Sequence, residues 1–329
     1  MKLISALAGI ALATSAAVCQ QVNLTQSAGH IDVTVDSKPF TTYYVSPETN
    51  KSYLMPLRTA QGTIVTRGFP VVNDVSAGNP KENAFEPHQR PLYWGHGNIN
   101  GFDFWGEQSF DRFYNDHARQ PYGRMVLKNV EEVHSGSPAG TVRANFDLVG
   151  GKDLPVATEI QEFAFSGTSE TRVIDVRITI EAAYGPVTFG DTKEGSFAIR
   201  LAPELSGSHA RMTNSEGAQG EKNIWGRKAN WVDYSGVIGG EPLGVAIFDG
   251  NENLRHPETW HSRAYGLFAV NPFGLREFSR DPMQDGSWTV PEGKSITFSY
   301  RVLIHHGQIG DFNVGAAYEQ YARAKHSLN

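Results

Sequence analysis

Apolar and polar residues alternate with a period of two over much of this chain. Ile31, Val33 and Val35 alternate with polar positions up to the Asp36-Ser37 turn, and Phe40 to Val45 continues as the other arm of a hairpin. Val142, Ala144, Phe146 and Leu148 alternate with Arg143, Asn145 and Asp147, and Ile174, Val176, Ile178 and Ile180 with Asp175, Arg177, Thr179 and Glu181. Near the C-terminus Ile296, Phe298, Tyr300, Val302 and Ile304 make one face of a strand ending at His305-His306, with Thr297, Ser299, Arg301 and His305 on the other. Helical periodicity is convincing only at the end, where Val314, Ala317, Tyr318, Tyr321 and Ala322 follow the breaker Gly310. Many strands with one buried and one solvated face predict an all-β protein. The expected fold is a large antiparallel β-sandwich, a two-sheet supersandwich, with a short C-terminal helix. No Pro/Ser-rich linker, low-complexity segment or short-period repeat divides the chain, so residues 20–329 are expected to form a single domain.

The N-terminus departs from this pattern. Lys2 precedes an apolar run from Leu3 to Val18, and ordinary polar sequence follows from Gln20, which predicts a secretory signal peptide over residues 1–19. The expected location is therefore secreted or periplasmic. Acylation of Cys19 as a lipoprotein anchor is the weaker alternative, because Val18 stands where a small residue belongs. The run is too short and lacks the basic flank for a membrane span. Cys19 is the only cysteine, so no intramolecular disulfide staples the chain and stability must come from a large core. The net charge of −6, with no run of Lys or Arg, makes nucleic acid and anionic membranes poor partners.

Candidate chemistry concentrates between Glu86 and Trp105, where two His, an Arg, an Asp and two Trp lie among Gly and Pro on loop-like sequence. His88 and His96 come from this stretch, His256 and His261 from a second, and His305 with His306 from a third. Histidine suits proton transfer near neutral pH and ligates metals when neutral, but the spacing matches no compact metal motif. Asp103, between Phe102 and Phe104, and Glu194, just before the apolar Phe197 to Leu201 strand, are the candidate carboxylates, since apolar neighbours would raise a carboxyl pKa. The catalytic candidates are thus His88, His96, Asp103, Glu194 and His261. Trp94, Trp105 and Trp231 offer faces for sugar rings, while Arg90, Asn98, Arg263 and His305 are candidates to bond hydroxyls or a carboxylate. Core packing for the tryptophans, a surface ion pair for Glu194 and a turn role for Asp103 are the competing structural readings.

The segments His88 to Trp105, Phe189 to Gly195 and Arg255 to Phe268, with Asn214 to Gly217, Trp225 to Tyr234, Asn271 to Gly274 and Tyr300 to Gly307, resemble a secreted bacterial family labelled methane oxygenase PmoA-like. That family usually has a second His where this chain has Gln89, so a metal site built there would be one ligand short. The label transfers no chemistry, because the methane-oxidising subunit of that name is a bundle of membrane-spanning helices, and this chain has no apolar span beyond its leader. What the resemblance implies is a fold similar to galactose-mutarotase-like supersandwiches and a sugar-shaped ligand.

These residues point first to a secreted carbohydrate-active enzyme, working by hydrolysis, elimination or epimerisation, with His and a carboxylate sharing proton transfer. Its partner would be a small-molecule or oligosaccharide ligand. A divalent metal is compatible with the chemistry, although no cofactor is specified. A non-catalytic carbohydrate-binding protein is the alternative. Metal-dependent oxidation ranks last, since no Cys ligands are present and a mature chain starting at Gln20 offers no N-terminal His to copper.

Overall fold

The structure, a computed structural model, describes residues 20–46, 50–68, 86, 88–107 and 121–324. The leader read at residues 1–19 lies outside them. Two eight-stranded sheets, all neighbours antiparallel, account for most of the described chain. The first runs β1 (Val22–Ser27), β2 (His30–Val35), β3 (Lys38–Tyr44), β4 (Tyr53–Met55), β5 (Leu92–His96), β11 (Gly195–Arg200), β16 (Leu267–Asn271) and β15 (Thr259–Ser262). The second runs β12 (Arg211–Asn214), β13 (Trp231–Ile238), β14 (Glu241–Asp249), β18 (Ser295–His306), β9 (Thr171–Glu181), β8 (Pro155–Gly167), β7 (Ala139–Val149) and β6 (Arg124–His134). A two-stranded ribbon of β10 (Val187–Phe189) and β17 (Trp288–Val290) stands apart.

The alternation read in the sequence is the alternation that builds this sandwich. Val33, Trp94, Phe197, Phe268 and Val270 face inward from the first sheet and meet Phe146, Phe163, Ile178, Val245 and Tyr300 from the second in one apolar cluster. Phe197 and Tyr300 lie ring on ring at 4.7 Å, joining the centres of the two sheets. The hairpin at Asp36-Ser37 has a two-residue loop with both residues at positive φ, 48° and 63°, the backbone that matches the twist of the flanking strands. The predicted C-terminal helix runs from Val314 to Arg323 and covers the outer face of the second sheet with Val314, Tyr318 and Tyr321, packed on Phe248 and Leu303. Two shorter helices lacked a sequence signal: α1 (Glu221–Ile224) and α2 (Leu275–Ser279). Taking the C-terminal helix as α3, these are the α-helices among the described residues. None of the described helices is long and apolar enough to cross a membrane.

A polar cluster sits deep between the sheets. Glu159 is fully buried on β8; its Oε1 accepts from Gln161 Nε2 at 2.6 Å, while Oε2 has no hydrogen-bond partner among the described residues. Gln161 Oε1 in turn accepts from Tyr43 Oη at 2.6 Å and Ser52 Oγ at 2.8 Å. Burial, only partly opposed by the Gln161 bond, pushes the Glu159 carboxyl up to about 8 from its usual 4.5. A carboxyl with a raised folded-state pKa stabilises the fold below its unfolded pKa and loses that contribution as pH rises through the folded value. The free energy of unfolding should therefore fall between about pH 4.5 and about 8, with a slope from this group of up to about 1.4 kcal/mol per pH unit. Glu159→Gln should flatten that stretch, as measured by urea unfolding at several pH values. Equal slopes in both proteins would show that Glu159 does not hold its proton in the fold.

Candidate functional site

The outer face of the first sheet, turned away from the second, carries a row of residues that crosses the strands. Tyr44 on β3 pairs with Tyr53 on β4, and Tyr53 stands beside Tyr93, one position from the Leu54–Leu92 pair. Tyr93 lies opposite Ala198 on β11, Ala198 opposite Ala269 on β16, and Ala269 opposite His261 on β15. Aromatic rings thus occupy one end, two alanines the centre and a histidine the far end. Strands lie about 4.8 Å apart, and the two alanines form a low floor between larger side chains, fully buried in a cluster with Trp105.

The Glu86 to Trp105 stretch supplies one wall. Gly95 is required there because the Phe104 carbonyl oxygen lies on the sheet directly above it, and a Cβ would sit 2.6 Å from that oxygen. This close approach lays Trp105 over the face, with its ring 5.0 Å from that of Tyr93 and packed with Ala198 and Ala269. Asp103 fixes the turn: its Oδ1 accepts from the backbone N–H groups of Trp105 and Gly106, both at 2.8 Å. Beneath the wall Lys51, Arg90 and Glu107 are buried together. Glu107 accepts from Arg90 Nε at 3.0 Å and from its Nη2, and lies 3.2 Å from Lys51 Nζ. Burial would push the Glu107 carboxyl up, but Lys51 and Arg90 together hold it below its usual value.

Glu194 and His261 come from the other side. Glu194 precedes β11 with its side chain 36% exposed, and its Oε1 accepts from Lys193 Nζ at 2.6 Å. Desolvation raises its carboxyl, but His261 and His88 in their protonated forms and the standing charge of Lys193 more than reverse this, so Glu194 ionises below the ordinary 4.5. His261 is 2% exposed, and its Nδ1 lies 2.9 Å from the Lys193 carbonyl oxygen. A carbonyl can only accept, so Nδ1 carries the proton and Nε2 presents a lone pair, which has no hydrogen-bond partner among the described residues. Burial lowers the His261 pKa despite Glu194 nearby, and burial with Lys51 takes His88 down to about 3. Both rings are neutral at pH 7. Trp225, which follows α1, stands edge-on to His261 at 6.2 Å.

Five buried polar atoms around this floor have no hydrogen-bond partner among the described residues: Tyr93 Oη, Trp105 Nε1, Ser196 Oγ, Trp225 Nε1 and His261 Nε2. Buried polar atoms are nearly always satisfied, so several orphans on one face mark a place where water or a ligand completes them.

The sequence candidates divide on this geometry. His88, Trp105, Glu194, His261 and Arg263 share the outer face. Arg90 lies there too, but fully buried on Glu107. His96 and Trp94 point into the sandwich: the His96 ring packs 4.9 Å from Phe273 with Nε2 on the Gly190 carbonyl at 2.8 Å, and Trp94 stands edge-on to Phe189. His96 therefore does not share a pocket with His88 and His261, because one residue along a strand reverses the face. Asn98 closes a turn by accepting from the Gly101 N–H at 3.0 Å. Trp231 and His305 belong to the second sheet. Trp231 packs near α3, and His305 is buried with Nε2 3.1 Å from Asp233 Oδ1 and its ring stacked on Phe312. Among the described residues no three His, Cys, Asp or Glu side chains converge to hold a metal ion. Gln89 bridges the site instead, accepting from Arg200 Nη1 at 2.8 Å and reaching Tyr265 Oη at 3.4 Å.

Sequence reasoning passed over Lys51, Tyr93, Ser196, Arg200 and Tyr265. Arg200 had a signal, a charge inside the apolar stretch Phe197 to Leu201; Lys51 had none.

Comparisons with known proteins place the chain without assigning it a reaction. No curated protein matches it. Among solved structures it is similar to a galactose mutarotase-like protein from Clostridium acetobutylicum, with 8% identity over 87% of this chain and 98% of that one and a TM-score of 0.37. It is also similar to an aldose epimerase homologue from C. elegans, with 8% identity over 88% of this chain and 99% of the other and a TM-score of 0.33. The methane oxygenase PmoA-like assignment made from the motifs is corrected by the family comparison, in which the matching model spans residues 30–319 and carries no such name. The chain belongs to the family of unknown function DUF6807.

Proposed function

We propose that the outer face of the first sheet binds a carbohydrate, and that Glu194 and His261 share proton transfer on it in a hydrolysis, elimination or epimerisation. The observation that carries this reading is the pairing of an ionised, solvent-reaching Glu194 with a buried neutral His261 whose Nε2 lone pair is unengaged among the described residues. Both groups start as proton acceptors, so one takes a proton from the substrate and, once protonated, returns it as the acid of the following step. Tyr93 and Trp105 beside the alanine floor supply ring faces and donors for a sugar. The apolar run at residues 1–19, read as a signal peptide, supports a location outside the cytoplasm for this activity.

The test is a screen of the purified protein against glycosides and oligosaccharides with product analysis, followed by the pH profile of kcat/KM on the best substrate. Both relevant pKa values are shifted down, so the state with ionised Glu194 and neutral His261 persists as pH falls below 6.5. Activity should hold from neutral pH past 6.5 and decline only at more acid values. A decline centred at 6.5 or above would remove His261 from the reaction.

One observation favours binding without catalysis: the 2.6 Å Lys193–Glu194 contact occupies a carboxylate oxygen that a base would need. In that reading the screen yields affinity and no product.

A further inference from the structure

We propose that the sugar taken at this site bears a carboxylate, as in a uronic acid. The inference rests on the carbohydrate reading above and narrows it. Of the five orphaned atoms, Trp105 Nε1 and Trp225 Nε1 can only donate, Tyr93 Oη and Ser196 Oγ both carry a hydrogen to give, and only His261 Nε2 is restricted to accepting. Two atoms restricted to donating against one restricted to accepting weight the set toward donation, which suits a ligand richer in acceptors than in donors. A sugar hydroxyl brings a donor with each acceptor, whereas a carboxylate brings two acceptor oxygens and no donor.

Arg263 supplies charge in the same place. It lies on the outer face at the rim of the floor, 33% exposed, just beyond His261 and Ser262 on β15. Glu221 on α1 holds its stem: Oε1 accepts from Arg263 Nε at 2.8 Å, and Oε2 accepts from the Ala264 N–H at 2.7 Å. None of the hydrogen bonds among the described residues uses the two terminal nitrogens, so the fork is oriented with its bidentate edge open. The guanidinium also lies 5.4 Å from the centre of the Tyr265 ring, and that of Arg200 lies 4.5 Å from the same ring. Lys193 is shared between Glu194 at 2.6 Å and Glu277 at 3.2 Å, so Arg263 and Arg200 supply the positive charge that draws an anion to this face.

Calorimetric titration of the full chain with the methyl glycosides of galacturonate and glucuronate, beside those of galactose and glucose, tests this. The uronates should bind at least about tenfold more tightly, and the preference should shrink as salt rises. Arg263→Gln should weaken uronate binding far more than neutral-sugar binding and so remove most of the preference. Arg263→Lys, which keeps the charge but loses the fork, should keep part of it and guards against a folding defect, checked by an unaltered melting curve. Equal affinity for uronates and neutral sugars overturns the carboxylate inference and leaves the carbohydrate reading standing. Failure to bind any of the four overturns both.

Discussion

Replacing Glu194 with Gln should lower turnover by about a hundredfold to ten-thousandfold while leaving ligand affinity nearly intact. The amide keeps the shape and hydrogen-bonding reach of the side chain but cannot exchange a proton, and general acid–base groups contribute on that order. The side chain lies at a rim, 36% exposed, so its loss should not disturb the apolar core. Kinetics on the best substrate and calorimetry on the same ligand separate the two effects. Asp103 offers the contrast. Its Oδ1 accepts from the N–H groups of Trp105 and Gly106, a role that an amide oxygen retains, so Asp103→Asn should leave Trp105 in place and change turnover little. Should Glu194→Gln turn over normally while Asp103→Asn is dead, the proton-transfer role belongs to Asp103. Should neither affect a protein that binds sugar and yields no product, the binding-protein reading takes over.

Replacing Glu107 with Ala should cost about 3–5 kcal/mol of stability. Glu107, Lys51 and Arg90 are all essentially removed from water, and the carboxylate compensates both cations at once. Deleting it removes the buried carboxylate that both cations share, which costs far more than losing an exposed pair such as Arg124–Asp153. Urea unfolding should show a lower midpoint, and the aromatic cluster of Tyr53, Tyr93 and Trp105 should loosen, since Arg90 lies 5.4 Å from the Tyr53 ring and Lys51 5.0 Å from that of Tyr93. A loss below about 1 kcal/mol would mean that other anions neutralise Lys51 and Arg90.

The difference between His96 and His261 shows why residue type and loop-like context located the site region but not its members. Both histidines lie in Gly- or Pro-rich surroundings that read as functional, and both are almost fully buried. His96 ends β5 on the inward-facing side, two positions from Trp94, whereas His261 follows the inward-facing Trp260 and so faces out. Neither assignment is accessible before the strand boundaries are known, because a shift of one residue reverses every side chain. Trp231 and His305 fail for a related reason: nothing local in the chain says which of two sheets a strand will join. Glu107 was silent in the sequence because its role depends on Lys51, 56 positions earlier, and on a loop returning across the sheet.

Alternation alone determined that this chain is built of two-faced antiparallel strands with a helix at its end, since burial of every second side chain is a local property that the order of residues carries directly. It also placed Glu194 immediately before an apolar strand and His88 and Trp105 in a loop-like stretch punctuated by Gly and Pro. Tertiary structure decided the rest: that β5, β11, β16 and β15 are neighbours although they lie far apart in the chain, that two alanines meet between Tyr93 and His261, and that Lys51 finds Glu107. Those outcomes follow from strand order and register across a sheet, which are set by how the complete core packs and which no short window of sequence contains.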